Sequence, residues 1–175
     1  MSNLNKGVSK AEVTLKWDPS PLGQPAHDLD LVAGTFTSDD PRGNPAYLVF
    51  FGSRSPDGTI TLNRDSKDGV GFGTDEDMTL ELDRLGDSFT RVVVGVAIQQ
   101  RDGELTFGEI TNPSVRVLEG YNELAAYDFA AVPEATAATF AEFSREPGGV
   151  WVFRPAVHAF DDTDPQSFGR LMGRV

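Results

Sequence analysis

The sequence predicts an all-β chain, a two-sheet β-sandwich of about ten strands with at most short helical turns. Three observations carry that expectation. The 18 Gly and 11 Pro are scattered along all 175 residues, which favours many short elements over a few long helices. Apolar residues repeat with period two in AEVTLKW, TITL and MTLEL, the signature of half-buried strands. Turn signals stand between those stretches.

In chain order, AEVTLKW at 11–17 alternates through Val13, Leu15 and Trp17, and DLDLVAGTF at 28–36 follows as a second strand. YLVFF at 47–51 and TITL at 59–62 flank SPDG at 55–58. With Pro and Gly at its second and fourth positions, that tetrapeptide predicts a turn pairing its two flanks as antiparallel neighbours. MTLEL at 78–82, RVVVGVAI at 91–98, SVRVL at 114–118 and ELAAYDF at 123–129 add four strands. TFAEF at 139–143 and VWVFR at 150–154, joined by REPGG, predict a hairpin. In AAVPEATAATFAEF, Pro133 and the alanines allow a short helical turn. Two stacked sheets bury this many strands economically. The expected organisation is one sandwich domain over 1–160 and a loosely held C-terminal tail over 161–175.

Composition excludes several function classes. With 27 acidic against 15 basic residues the formal charge is −12, a field that repels nucleic-acid backbones and anionic membranes and attracts cations. No nucleic-acid partner is expected, and nothing indicates membrane association. The chain has no Cys, so disulfides, thiolate metal sites and redox thiols are excluded. Its longest apolar run, VVVGVAI, is too short to span a bilayer and its first residues lack a signal-peptide pattern, so a cytoplasmic protein is expected.

RDSKDGVGFGTDED at 64–77 concentrates acids around three alternating glycines. It is not a helix-loop-helix calcium loop, because Lys67 and Gly69 stand where oxygen ligands are needed and Val70 replaces the required glycine. Nor does its glycine spacing fit a dinucleotide fingerprint. Gly69, Gly71 and Gly73 do let the backbone fold tightly while Asp65, Asp68, Asp75 and Glu76 approach one centre. Oxygen donors without imidazole or thiolate select hard cations, and an irregular cage suits calcium better than magnesium. The alternative is a solvated acidic loop. Asp28 and Asp30, two residues apart in HDLDL, share one face of a strand, so they either face solvent on an edge or share a cation.

Catalytic signatures are sparse. His27 and His158 are the only histidines, and neither a nucleophile elbow nor a zinc-protease motif occurs. Trp17, Trp151 and most of the Phe residues sit in strands, where inter-sheet packing is their default role.

WDP at 17–19, DLDL at 28–31, SPDG, the glycine-acid loop, FGEITN at 107–112, ELAAYDF and FAEFSREPGGVWVFR at 140–154 occur in an order that resembles the TerD family of tellurium-resistance and stress proteins. The resemblance covers most of the chain. It implies a non-enzymatic β-sandwich binding calcium, commonly two ions, between the acidic strand and the glycine-acid loop, with other Ter-type stress proteins as partners. Carried over by position, the ligand set is Asp28, Asp30, Asp65, Ser66, Asp68, Asp75 and Glu76. Val70, Phe72 and Thr74 replace acids usual in the family, which leaves a complement for one calcium rather than two; Val70 and Phe72 would contribute backbone carbonyls or an apolar lip. A scaffold or sensor role is expected, since soft ligands for tellurite are absent. The alternative is a calcium-dependent ligand binder, lectin-like or membrane-docking.

Overall fold

The computed structural model describes residues 7–71, 73–100, 104–161 and 164–175. Among these residues ten strands form two antiparallel five-stranded sheets, as the patterning predicts. Sheet A has the order β4-β5-β1-β7-β8 and contains β1 (Ala11–Lys16), β4 (Ile60–Asp65), β5 (Glu76–Leu80), β7 (Ser114–Glu119) and β8 (Asn122–Tyr127). Sheet B has the order β10-β9-β6-β2-β3 and contains β2 (Leu29–Thr37), β3 (Tyr47–Val49), β6 (Phe89–Ile98), β9 (Ala137–Arg145) and β10 (Trp151–Phe160).

Period-two alternation places the core between the sheets. Ala11, Val13 and Leu15 of β1 face Leu29, Leu31 and Ala33 of β2 and Val92, Val94 and Val96 of β6 within one buried apolar cluster. Each fully buried Val or Leu there stabilises the fold by about 2 kcal/mol relative to an exposed one. The expected hairpin of TFAEF and VWVFR is present, with Phe153 opposite Phe143 and Arg154 opposite Glu142. β10 runs on to Phe160, so His158 lies within this strand, its N–H donating to Thr139 Oγ1.

Two expectations are corrected. YLVFF and TITL do not pair: β3 pairs with β2 in sheet B and β4 with β5 in sheet A. The chain crosses between sheets here, so SPDG redirects it without making a hairpin. The Pro133 segment forms turns, and strand β9 begins at Ala137.

The C-terminal segment is docked rather than loose. Helix α1 (Pro165–Leu171) starts with Asp164 accepting the Ser167 N–H and with Pro165 in its first turn, a favourable N-terminus. Phe168 and Met172 are fully buried with Val32, Phe36 and Val93 on the outer face of sheet B. Gly95 of β6 makes this fit possible, because a Cβ there would lie 2.5 Å from the Phe168 ring. Beside α1, the buried Arg91 pairs with Glu142 at 2.7 Å and donates to the Gly173 and Val175 carbonyls. No helix among the described residues is long and apolar enough to cross a membrane.

Candidate metal centre

The site forms where β3 ends early. The β2–β3 ladder stops at Ala33 opposite Val49, and Phe50 and Ser53 then exchange backbone hydrogen bonds in a tight turn. Thr35 directs its carbonyl toward β3, receiving the Ala46 N–H. By strand alternation Leu31 directs its N–H to the same side, beyond the last β3 residue. Glu76 fills that gap, its Oε2 accepting the Leu31 N–H at 2.5 Å. Glu76 opens β5, where it pairs with Leu15 of β1 and with Asp65, the last residue of β4.

The acids at the two ends of the β4–β5 loop therefore meet the acidic end of β2. Ligand-capable oxygens of Asp30, Asp65 and Glu76 all lie within 4.8 Å of one another. Asp30 and Glu76 are buried, at 1% and 0% exposure, whereas Asp65 is exposed and leaves the cluster open on one side. Asp28 is also buried, which excludes the solvent-facing alternative for HDLDL. Strand β2 is internal, between β6 and β3.

Charge in this cluster is poorly compensated. Burial, with the Asp28 charge next, pushes Asp30 up to about 7; the Gln99 side chain beside it pulls slightly the other way. Burial and then the Asp30 charge hold Glu76 well above the ordinary carboxylate range. Both Asp30 oxygens and Glu76 Oε1 accept no hydrogen bond of ordinary geometry from the described residues. Among those residues, no Lys or Arg forms an ion pair with Asp30, Asp65 or Glu76.

The remaining candidates have other engagements. Asp75 is buried, its N–H donating to Leu15 O and its Oδ2 accepting the Trp17 N–H, both at 2.8 Å. It thereby prolongs the β1–β5 pairing by one residue. Ser66 Oγ accepts the Gly69 N–H, and the exposed Asp68 accepts the Val70 N–H. Both side chains shape the loop around themselves, and neither belongs to the group of three. Val70 is 62% exposed, and Phe72 lies outside the described residues.

Two features of the site escape sequence reading. Gly69 has φ +76°, and a Cβ there would lie 2.6 Å from Trp17 Nε1, so glycine is required for both conformation and contact. The Trp17 indole donates to His27 O at 2.9 Å, which ties the approach to β2 to the loop. Burial lowers the His27 pKa against the weaker pull of Glu109. The second feature is the Leu31 N–H held by Glu76, for which the five-residue apolar run YLVFF after Ala46 gave no signal.

Orphaned, buried carboxylate oxygens fit a hard divalent cation: the donor set is all oxygen, with no imidazole or thiolate in the group. The fold and site define a two-sheet sandwich with a carboxylate cluster joining its sheets at one edge. A family model described as the TerD domain matches residues 1–163, and the chain belongs to the TerD family. It is 28% identical over 162 residues to the tellurium resistance protein TerD of Serratia marcescens, covering 86% of this chain and 84% of that one. It is 29% identical over 160 residues to the uncharacterized protein YceE of Bacillus subtilis strain 168, covering 87% and 82%. Two solved structures share the fold closely. A homologue of telluride resistance protein TerD, SCO6318 from Streptomyces coelicolor A3(2), is 52% identical with a TM-score of 0.92, covering 95% of this chain and 98% of that one. The unknown function protein SAV2460 is 58% identical with a TM-score of 0.93 and the same coverage.

Proposed function

We propose that this protein is a non-enzymatic calcium-binding module of the stress response, acting in the cytoplasm as a scaffold or sensor in tellurite resistance. One observation carries the reading: oxygens of Asp30, Asp65 and Glu76 converge within 4.8 Å, two of these residues are buried, and no described cation compensates them. Like charges so close and so poorly solvated are costly unless protonated or shared by a cation. A calcium ion supplies two positive charges and accepts irregular oxygen coordination.

Asp30 belongs to sheet B, Asp65 and Glu76 to sheet A. Calcium bound among them clamps the sheets together at the edge that β3 leaves uncovered and holds both ends of the glycine loop. Binding stabilises the fold by about 2.7 kcal/mol when free calcium is a hundred times its dissociation constant. The ordered loop then presents a surface to partner proteins, other Ter-type proteins being the first to test. A role in tellurite resistance rests on kinship with proteins so named. Direct reduction or thiol capture is not part of the reading, since the chain has no Cys.

Titration calorimetry with calcium and magnesium on chelator-stripped protein tests the proposal. One calcium per chain is expected, with magnesium weaker, and Asp65→Ala should abolish most of the calcium-induced rise in Tm. Absence of both heat and Tm change on adding calcium would refute it.

A further inference from the structure

The short β3 has a second effect. The longer β4 overhangs it, and a cavity of about 480 Å³ opens along the edge between the sheets, lined by Val49, Ile60, Leu62, Phe51, Arg54 and Asp65 among others. This volume lies in the range that accommodates small molecules. Its walls are fixed: Ser53 Oγ donates to Leu48 O and Ser55 Oγ to Ile60 O, each at 2.9 Å. Phe51 stands at the corner of the tight turn, 48% exposed and edge-on to Phe50. Arg54 is exposed and has no acidic partner among the described residues, although the chain carries a net charge of −12. Asp65 lines the same cavity and also belongs to the carboxylate cluster.

We propose that this groove binds a small amphipathic anion, its carboxylate or phosphate on Arg54 and its apolar body against Phe51 and Leu62, and that cation loading at Asp65 strengthens the binding. The coupling rests on the calcium reading above. An uncompensated Asp65 repels an anion in the groove, and a divalent ion on Asp65 removes that repulsion. Linkage is reciprocal, so the anion tightens calcium by the same factor, roughly fivefold or more. A neutral ligand gains nothing from Arg54, and a zwitterion would place its ammonium on Asp65 and so compete with the metal.

Benzoate, phenyl phosphate, benzyl alcohol and phenylalanine serve as probes, titrated by NMR into calcium-loaded and chelator-stripped protein. At least one of the two anions should bind roughly fivefold tighter to the loaded form, and whichever binds distinguishes carboxylate from phosphate recognition. Arg54→Ala should remove anion binding while leaving calorimetric calcium stoichiometry unchanged. Asp65→Asn, measured in chelator, should strengthen anion binding with no metal present, which separates the groove from the calcium reading. The proposal is overturned if neither anion binds, if benzyl alcohol binds as well as the anions, if Arg54→Ala has no effect, or if phenylalanine outbinds both anions on the calcium-loaded protein.

Discussion

Substitution of Asp30 by Asn removes one buried charge while keeping the side chain's shape, and the structure sets the size of the effect. Asp30 moves from its ordinary 3.8 to about 7 on folding, mainly through burial. Each factor of ten in proton affinity is about 1.4 kcal/mol, so its ionised form is disfavoured in the metal-free fold by about 4 kcal/mol. A folded pKa above the unfolded one means that the native chain holds the proton longer. The Asp30 contribution to the stability of the metal-free protein therefore falls as pH rises from about 4 to about 7 and then levels off, and Glu76, also raised, adds a loss of the same sign. Urea unfolding of chelator-stripped protein at pH 4, 6 and 8 should find Asp30→Asn more stable than wild type at pH 8, by up to about 4 kcal/mol. The two should converge near pH 4. Calcium should reverse the order by stabilising only the wild type. A variant less stable than wild type at pH 8 in chelator would refute the claim that Asp30 carries uncompensated charge.

Three further outcomes follow from other parts of the fold. Glu142→Gln leaves the buried Arg91 guanidinium short of its counter-charge and should destabilise the protein by about 3 kcal/mol in denaturant titrations. Burial alone would raise Glu142, but Arg91 and Arg154 outweigh it and hold the carboxyl below its ordinary 4.5. That contribution is present above the unfolded pKa and lost as pH falls through the folded one, so the wild type should show an acid-side loss that the variant lacks. Gly69→Ala forces a side chain into a left-handed position against Trp17; it should cost about 2 kcal/mol and weaken calcium in calorimetry. Phe168→Ala empties a fully buried site on sheet B and should cost about 3 kcal/mol, read as a lowered Tm; no change would mean that α1 does not stay docked.

The strands were legible because they alternate: Val13 and Leu15, or Met78 and Leu80, face the core as period two requires. HDLDL and the glycine loop were brought together by the family resemblance, since the residues alone left a solvated alternative open for each. Less was legible where local chemistry is silent on what lies across space. SPDG signals a change of direction but not whether the strands on either side share a sheet, and here they do not. The end of the chain hid its helix among polar residues and glycines; Asp164 and Pro165 were a usable start signal, with Phe168 and Met172 four apart on one face. Asp68 and Ser66 looked equivalent to Asp65 in sequence, yet each spends an oxygen on a backbone N–H of its own loop. Recruitment of Glu76 to β2 follows from the premature end of β3, which no motif encodes.

A crystal structure of chelator-stripped protein soaked in calcium tests the central claim most directly. One ion should be found 2.3 to 2.6 Å, roughly the calcium–oxygen range, from an oxygen of each of Asp30, Asp65 and Glu76. A structure in which those three oxygens hold only protons or water while calcium sits elsewhere, or nowhere, would contradict it.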